Sequence, residues 1–79
     1  MKDEILAMII DKLVSLNKTD ASIYNAGTRF VEDLNIKSMD IVKIIGVLED
    51  EYGLDINFME FRRKPTLGEA AEYVATLAE

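Results

Sequence analysis

The chain has 79 residues, no cysteine, no histidine and a net charge of −6. A chain this short holds one small core, burying only ~60% of the surface its unfolded form exposes, so a single domain over residues 1–79 is expected. Without Cys and His there is no disulfide framework and no ordinary zinc site, and serine–histidine or cysteine–histidine catalysis within the chain is ruled out. The expectation is therefore a protein that is not an enzyme, has no catalytic residues and binds no metal.

From residue 3 to 16, Ile5, Leu6, Ile9, Ile10, Leu13 and Leu16 recur at three- and four-residue spacing, with Asp3, Lys12 and Ser15 on the opposite side. This spacing predicts an amphipathic helix. The longest apolar run in it, "ILAMII", is too short for a signal-peptide core or a membrane span, which points to a soluble, cytoplasmic chain. Residues 17–37 lose the periodicity at Asn17, Asp20, Asn25 and Gly27. So long a connection needs anchors. Ile23, Phe30, Leu34 and Ile36 are the candidates, with a short helical turn near residues 20–25.

A second helix is predicted over 38–52, where Ile41, Ile44, Ile45, Leu48 and Tyr52 make one stripe and Gly53 is the expected C-terminal cap. Gly46 inside it costs roughly 1 kcal/mol relative to alanine, which suggests close approach of a neighbouring or partner helix. "FMEFRRK" allows at most two turns before Pro65. "TLGE" then reads as a capping box, Thr66 capping and Glu69 reaching back, ahead of a last helix facing inward through Leu67, Ala70, Ala71, Val74 and Leu77. The fold class is all-α: a small four-helix bundle of three main helices and one short one.

Charge is unevenly placed. Residues 32–60 carry eight acids against Lys37 and Lys43, which accounts for the whole excess of −6. Such a chain repels nucleic acid and anionic membrane and is steered toward basic partner surfaces. "DLNIKSMDIVKI" begins like a calcium loop but has Ser38 and Ile44 where glycine and glutamate are needed. The basic run Arg62, Arg63, Lys64 reads as a solvated helix end that complements the dipole. On local grounds Ser38 is a helix cap, its oxygen satisfying free backbone N–H groups; the same N–H groups and dipole end also favour a phosphate ester there.

"DLNIKSMDIVKIIGVLEDEYGLDI", followed by "TLGEAAEYV" without an evident gap, resembles the acyl carrier protein family over nearly the whole chain. The resemblance implies an acyl-carrier-like four-helix bundle in which Ser38 receives 4'-phosphopantetheine from coenzyme A. An acyl or aminoacyl cargo would ride as a thioester on the arm's terminal thiol, which explains how a chain without cysteine does thiol chemistry. It also implies the partners: a phosphopantetheinyl transferase, and loading and acyl-consuming enzymes with basic surfaces in fatty-acid, lipid or secondary-metabolite biosynthesis, met by a monomer. Partner contacts are expected at Lys37, Met39, Asp40, Val42, Lys43, Glu49 and Asp50. Ile44, Ile45, Leu48, Ile56, Phe61, Leu67, Ala71 and Val74 are expected to converge beneath the arm as an acyl-chain pocket.

The chain departs from the family pattern at Lys37, where aspartate is usual, at Met39, where leucine is common, and at Lys43, where an acid is frequent. Phe58, Phe61, Arg62 and Arg63 are similar to peptidyl or D-alanyl carriers, so the cargo class stays open. The rival reading is a small acidic helical interaction domain without a prosthetic group.

Overall fold

The computed structural model describes residues 2–30, 32–34 and 36–78. The elements in order are α1 (Lys2–Asn17), a 3-10 turn (Ala21–Ile23), α2 (Ser38–Tyr52), α3 (Phe58–Arg63) and α4 (Leu67–Ala78). Among the described residues there is no strand, only an isolated bridge between Arg29 and Thr66. Helix α1 packs against α4 and α2, and the short α3 closes the gap between α2 and α4.

Ile5, Ile9 and Leu13, each one turn apart, put a fully buried seam on α1. The helix ends in an unusual way. Lys18 takes the left-handed conformation, with φ at 54°, and Thr19 N–H reaches back to the Val14 carbonyl at 3.3 Å. That is the Schellman arrangement normally built on glycine, and a side chain there costs roughly 1–2 kcal/mol. The opposing seam on α2 is Ile41, Ile44, Ile45 and Leu48, and the helix stops at Gly53, with φ at 65° and its N–H on the Glu49 carbonyl at 2.8 Å. Tyr52 is half-buried at the end of the seam, and desolvation together with the Glu4 and Glu51 charges raises its hydroxyl pKa.

Asn57 caps α3 by accepting the Glu60 N–H at 3.0 Å, and buried Phe61 meets Phe30 with ring centroids 5.8 Å apart. Lys64 is extended, as a residue preceding proline must be, and its ammonium lies over the Tyr73 ring at 5.3 Å. The capping box forms in altered shape. Thr66 Oγ1 accepts the Glu69 N–H, while the Glu69 carboxylate accepts from the Thr66 hydroxyl rather than from backbone.

The connection from α1 to α2 is anchored chiefly by hydrogen bonds to the start of α4. Leu67 N–H donates to the Thr28 carbonyl at 2.9 Å, Gly68 N–H to the Ala26 carbonyl at 2.8 Å, and Phe30 N–H to the Pro65 carbonyl at 3.2 Å. Phe30 is buried, and Leu34 and Ile36 are half-buried, as expected of anchors. Ile23 is not one: it stands 59% exposed, because the 3-10 turn brings Tyr24 inward instead, its hydroxyl 2.6 Å from Thr19 Oγ1. Leu77 likewise departs from expectation at 38% exposed, lying at the edge of the α4 stripe in the last turn.

Two glycines change places in importance. A Cβ on Gly46 meets nothing within 4 Å, so no neighbouring helix of this chain approaches it. At Gly68 a Cβ would lie 2.9 Å from both the Ala26 Cβ and the Ala26 carbonyl oxygen. Gly68→Ala is therefore expected to lower the unfolding free energy by about 1–3 kcal/mol, because backbone must move to admit the methyl. Gly46→Ala is expected to raise it by up to about 1 kcal/mol through helix propensity alone. Urea denaturation midpoints of the two variants check this, and equal shifts would refute the packing argument.

Candidate functional site

The segment that delivers Ser38 is fixed at its upstream end by a side-chain clasp. Asp33 accepts the Arg29 backbone N–H at 2.8 Å and the Arg29 guanidinium at 3.2 Å, and the same guanidinium pairs with Glu32. The Arg29 backbone donor, then its side chain, hold the Asp33 carboxyl below the ordinary carboxylate range, and Asp33 in turn raises the arginine.

Downstream of the clasp, Ile36 packs on the core and Lys37 is extended, with φ at −91° and ψ at 150°. The cap position belongs to Lys37, not Ser38, and among the described residues no side chain makes the cap hydrogen bond. This corrects the local reading of Ser38 as a cap. The residue lies one position too far along, inside the helix, where its own backbone is already helical. The Lys37 carbonyl instead starts the helix, accepting from Asp40 N–H at 3.0 Å and Ile41 N–H at 3.2 Å. Ser38 is exposed at the first position of α2, where the N–H groups of a first turn have no intrahelical partner.

The remaining surface candidates divide by position on α2. Met39, 68% exposed, and Val42, 55% exposed, share a strip with exposed Lys43 and Asp50, and Gly46 leaves the middle of that strip bare. Asp40 is half-buried beside Lys37, which is exposed. Glu49 is set apart. It is half-buried, and its carboxylate accepts the Ile56 N–H at 2.8 Å, tying α2 to the connection before α3. The eight positions expected to lie beneath an arm, Ile44, Ile45, Leu48, Ile56, Phe61, Leu67, Ala71 and Val74, all belong to one core and are no more than 6% exposed.

Sequence reasoning passed over a cleft of about 540 Å³ lined by Leu16, Asn17, Leu34, Ile36, Lys37, Met39 and Asp40. The alternation of Leu34 and Ile36 just before Ser38 was its only local signal. That these residues meet the end of α1 is a tertiary fact no spacing announces. Among the described residues no cluster of His, Cys, Asp and Glu is placed to hold a metal ion, and no helix is long and apolar enough to cross a membrane.

The bundle sets an exposed serine at the head of a helix, with the residues on either side of it lining an open cleft. The pattern of the family described as "Phosphopantetheine attachment site" matches residues 5–74. The chain is 30% identical over 76 residues to an acyl carrier protein of Chlamydia felis, covering 96% of this chain and 92% of the relative. It is 34% identical over 74 residues to an acyl carrier protein of Rickettsia canadensis, covering 94% and 81%. The chain belongs to the acyl carrier protein family, whose members are carriers rather than enzymes and whose prosthetic group is 4'-phosphopantetheine.

The hydrogen bond to Ile56 gives Glu49 a supporting role that Asp50 lacks among the described residues. Glu49→Ala is expected to cost about 1–3 kcal/mol of stability, since it leaves the N–H of buried Ile56 without its acceptor. Asp50→Ala, on the exposed strip, is expected to stay within about 0.5 kcal/mol of the parent. Thermal or urea unfolding of both variants checks the distinction, and an equally stable Glu49→Ala would remove the supporting role.

Proposed function

We propose that Ser38 carries the 4'-phosphopantetheine arm and that the protein, acting as one carrier domain in the cytoplasm, holds an acyl or aminoacyl group as a thioester on the arm's thiol and presents it to successive enzymes. The observation that carries this reading is the position of Ser38: exposed, first in α2, inside the "DLNIKSMDIVKI" stretch of a chain whose family match spans residues 5–74. Attachment forms one bond from the Ser38 oxygen to the phosphorus of coenzyme A nearest the pantetheine and breaks the bond to the adenosine bisphosphate. The hydroxyl proton leaves with the transferase's base. The resulting phosphodiester sits at the positive end of the α2 dipole, which stabilises its negative charge, directly after the cationic residue Lys37. The arm supplies the thiol that this chain lacks.

Partner enzymes are proposed to read the strip of Met39, Val42, Lys43 and Asp50, flanked by Lys37 and Asp40, with the apolar pair giving contact and the charges giving orientation. Basic surfaces on those enzymes suit the acids of α2, and fatty-acid biosynthesis is the pathway to test first, as the family's usual role. A cargo tail that enters the bundle is proposed to lie among Ile44, Ile45, Leu48, Ile56, Phe61, Leu67, Ala71 and Val74. Each methylene buried there gains ~0.8 kcal/mol, against about 1–3 kcal/mol for forcing a packed core apart. A tail of a few carbons balances that cost, and a single acetyl does not.

Incubation with coenzyme A and a broad-specificity phosphopantetheinyl transferase is expected to add one arm to the wild type and none to Ser38→Ala, read by intact mass. Equal modification of the two proteins would overturn the assignment.

Lys37 places positive charge where an acid is usual in the family, so a transferase adapted to ordinary fatty-acid carriers is expected to work better on Lys37→Asp. Exposed charges act mainly through association rate and are screened over ~8 Å at physiological salt, so the gain in kcat/KM is expected to be largest at low ionic strength. Identical kcat/KM for wild type and Lys37→Asp at every salt concentration would place the lysine outside recognition.

A further inference from the structure

We propose that the cleft lined by the end of α1, by Leu34, Ile36 and Lys37, and by the first turn of α2 is the resting seat of the pantetheine arm, a binding site separate from the core. The proposal rests on the reading of Ser38 as the attachment point. Two observations lead to it. Lys37 and Met39, the residues on either side of Ser38, both line this cleft, so a group leaving Ser38 begins at its edge. The space is already open, at about 540 Å³, whereas the buried side chains of the core are in contact and the Phe30 and Phe61 rings meet at 5.8 Å. A flexible arm released by a partner occupies existing space before it displaces packed side chains.

The lining holds the kinds of group that the arm's chemistry calls for: a cation, apolar wall and polar side chains. The phosphodiester is nearest the protein, and exposed Lys37 is the cation of the lining that would meet it. Next comes a carbon bearing two methyl groups, for which Leu34, Ile36 and Met39 provide apolar wall. Two amides follow, and Asp40 and Asn17 are the polar residues of the lining that exchange hydrogen bonds with them, the carboxylate accepting and the carboxamide doing either. Leu16 completes the apolar wall on the α1 side. Lys37 thereby acquires a role inside the molecule, holding the arm against its own surface, in addition to facing partner enzymes.

The test uses full-length protein carrying an empty arm, with the arm confirmed by intact mass before the measurement. NMR of this protein is expected to show nuclear Overhauser contacts from the arm's paired methyls to Leu34, Ile36 and Met39. Amide shifts relative to the arm-free protein are expected at Asn17 and Asp40, with Ile44, Phe61 and Val74 unchanged. Lys37→Glu, at an exposed position that leaves the fold intact, is expected to lose these contacts while keeping the arm. Contacts from the empty arm to the core residues, or none to the cleft, in protein of confirmed holo mass would overturn the seat and leave Ser38 assigned. A protein that gains no arm mass at Ser38 would overturn both readings.

Discussion

The first amide groups of α4 govern the arrangement of everything before them. A helix begins with N–H groups that its own backbone does not satisfy, and burying them without acceptors is costly. Here Leu67 and Gly68 donate to the Thr28 and Ala26 carbonyls, more than thirty residues earlier in the chain. The long connection is therefore a structural component of α4 as much as a link between α1 and α2. Its contribution requires Gly68, because the donor can come within 2.8 Å of Ala26 only where no side chain intervenes. With that register set, Phe30 falls opposite Phe61 and the Asp33–Arg29 clasp follows, and the chain reaches Ser38 in a defined place.

From this constraint the site acquires its division of labour. The inward side of α2 is committed to Ile41, Ile44, Ile45 and Leu48, so the outward strip is free of packing duties and retains large apolar residues such as Met39 and Val42 in water. Single exposed apolar residues are ordinary on protein surfaces. Two of them, Met39 and Val42, share one strip that begins directly after Ser38. The charge of the same helix is less uniform than its composition suggests, because Glu49 is engaged with backbone while Asp50 is not.

Much of this was legible in the sequence, and the exceptions share a cause. The seams of α1 and α2 follow from three- and four-residue spacing, and Gly53 and the Thr66–Glu69 pair mark helix ends by their chemistry alone. Ser38 as the start of α2 was legible too, from the apolar stripe that begins at Ile41, although the cap itself proved to be Lys37. The misses are contacts between segments distant in the chain, or backbone states that spacing does not encode. Ile23 and Tyr24 are adjacent and both apolar in part, and only the turn decides which is buried. Gly46 and Gly68 look equally permissive as letters, yet only Gly68 faces another backbone. Lys18 in the left-handed region ends α1 where a glycine would have announced it. The cleft beside Ser38 needs Leu16 and Leu34 together, which no local pattern supplies.

Glu49 has a further consequence. Its main-chain oxygen terminates α2 by taking the Gly53 N–H, and its carboxylate holds the Ile56 N–H of the connection that leads to α3. The two ends of the corner are therefore held by different parts of one residue, the first by main chain that any side chain would supply and the second by a carboxylate that a single substitution removes. A chain lacking that carboxylate would still stop α2 at Gly53 but would leave the approach to α3 without its tie.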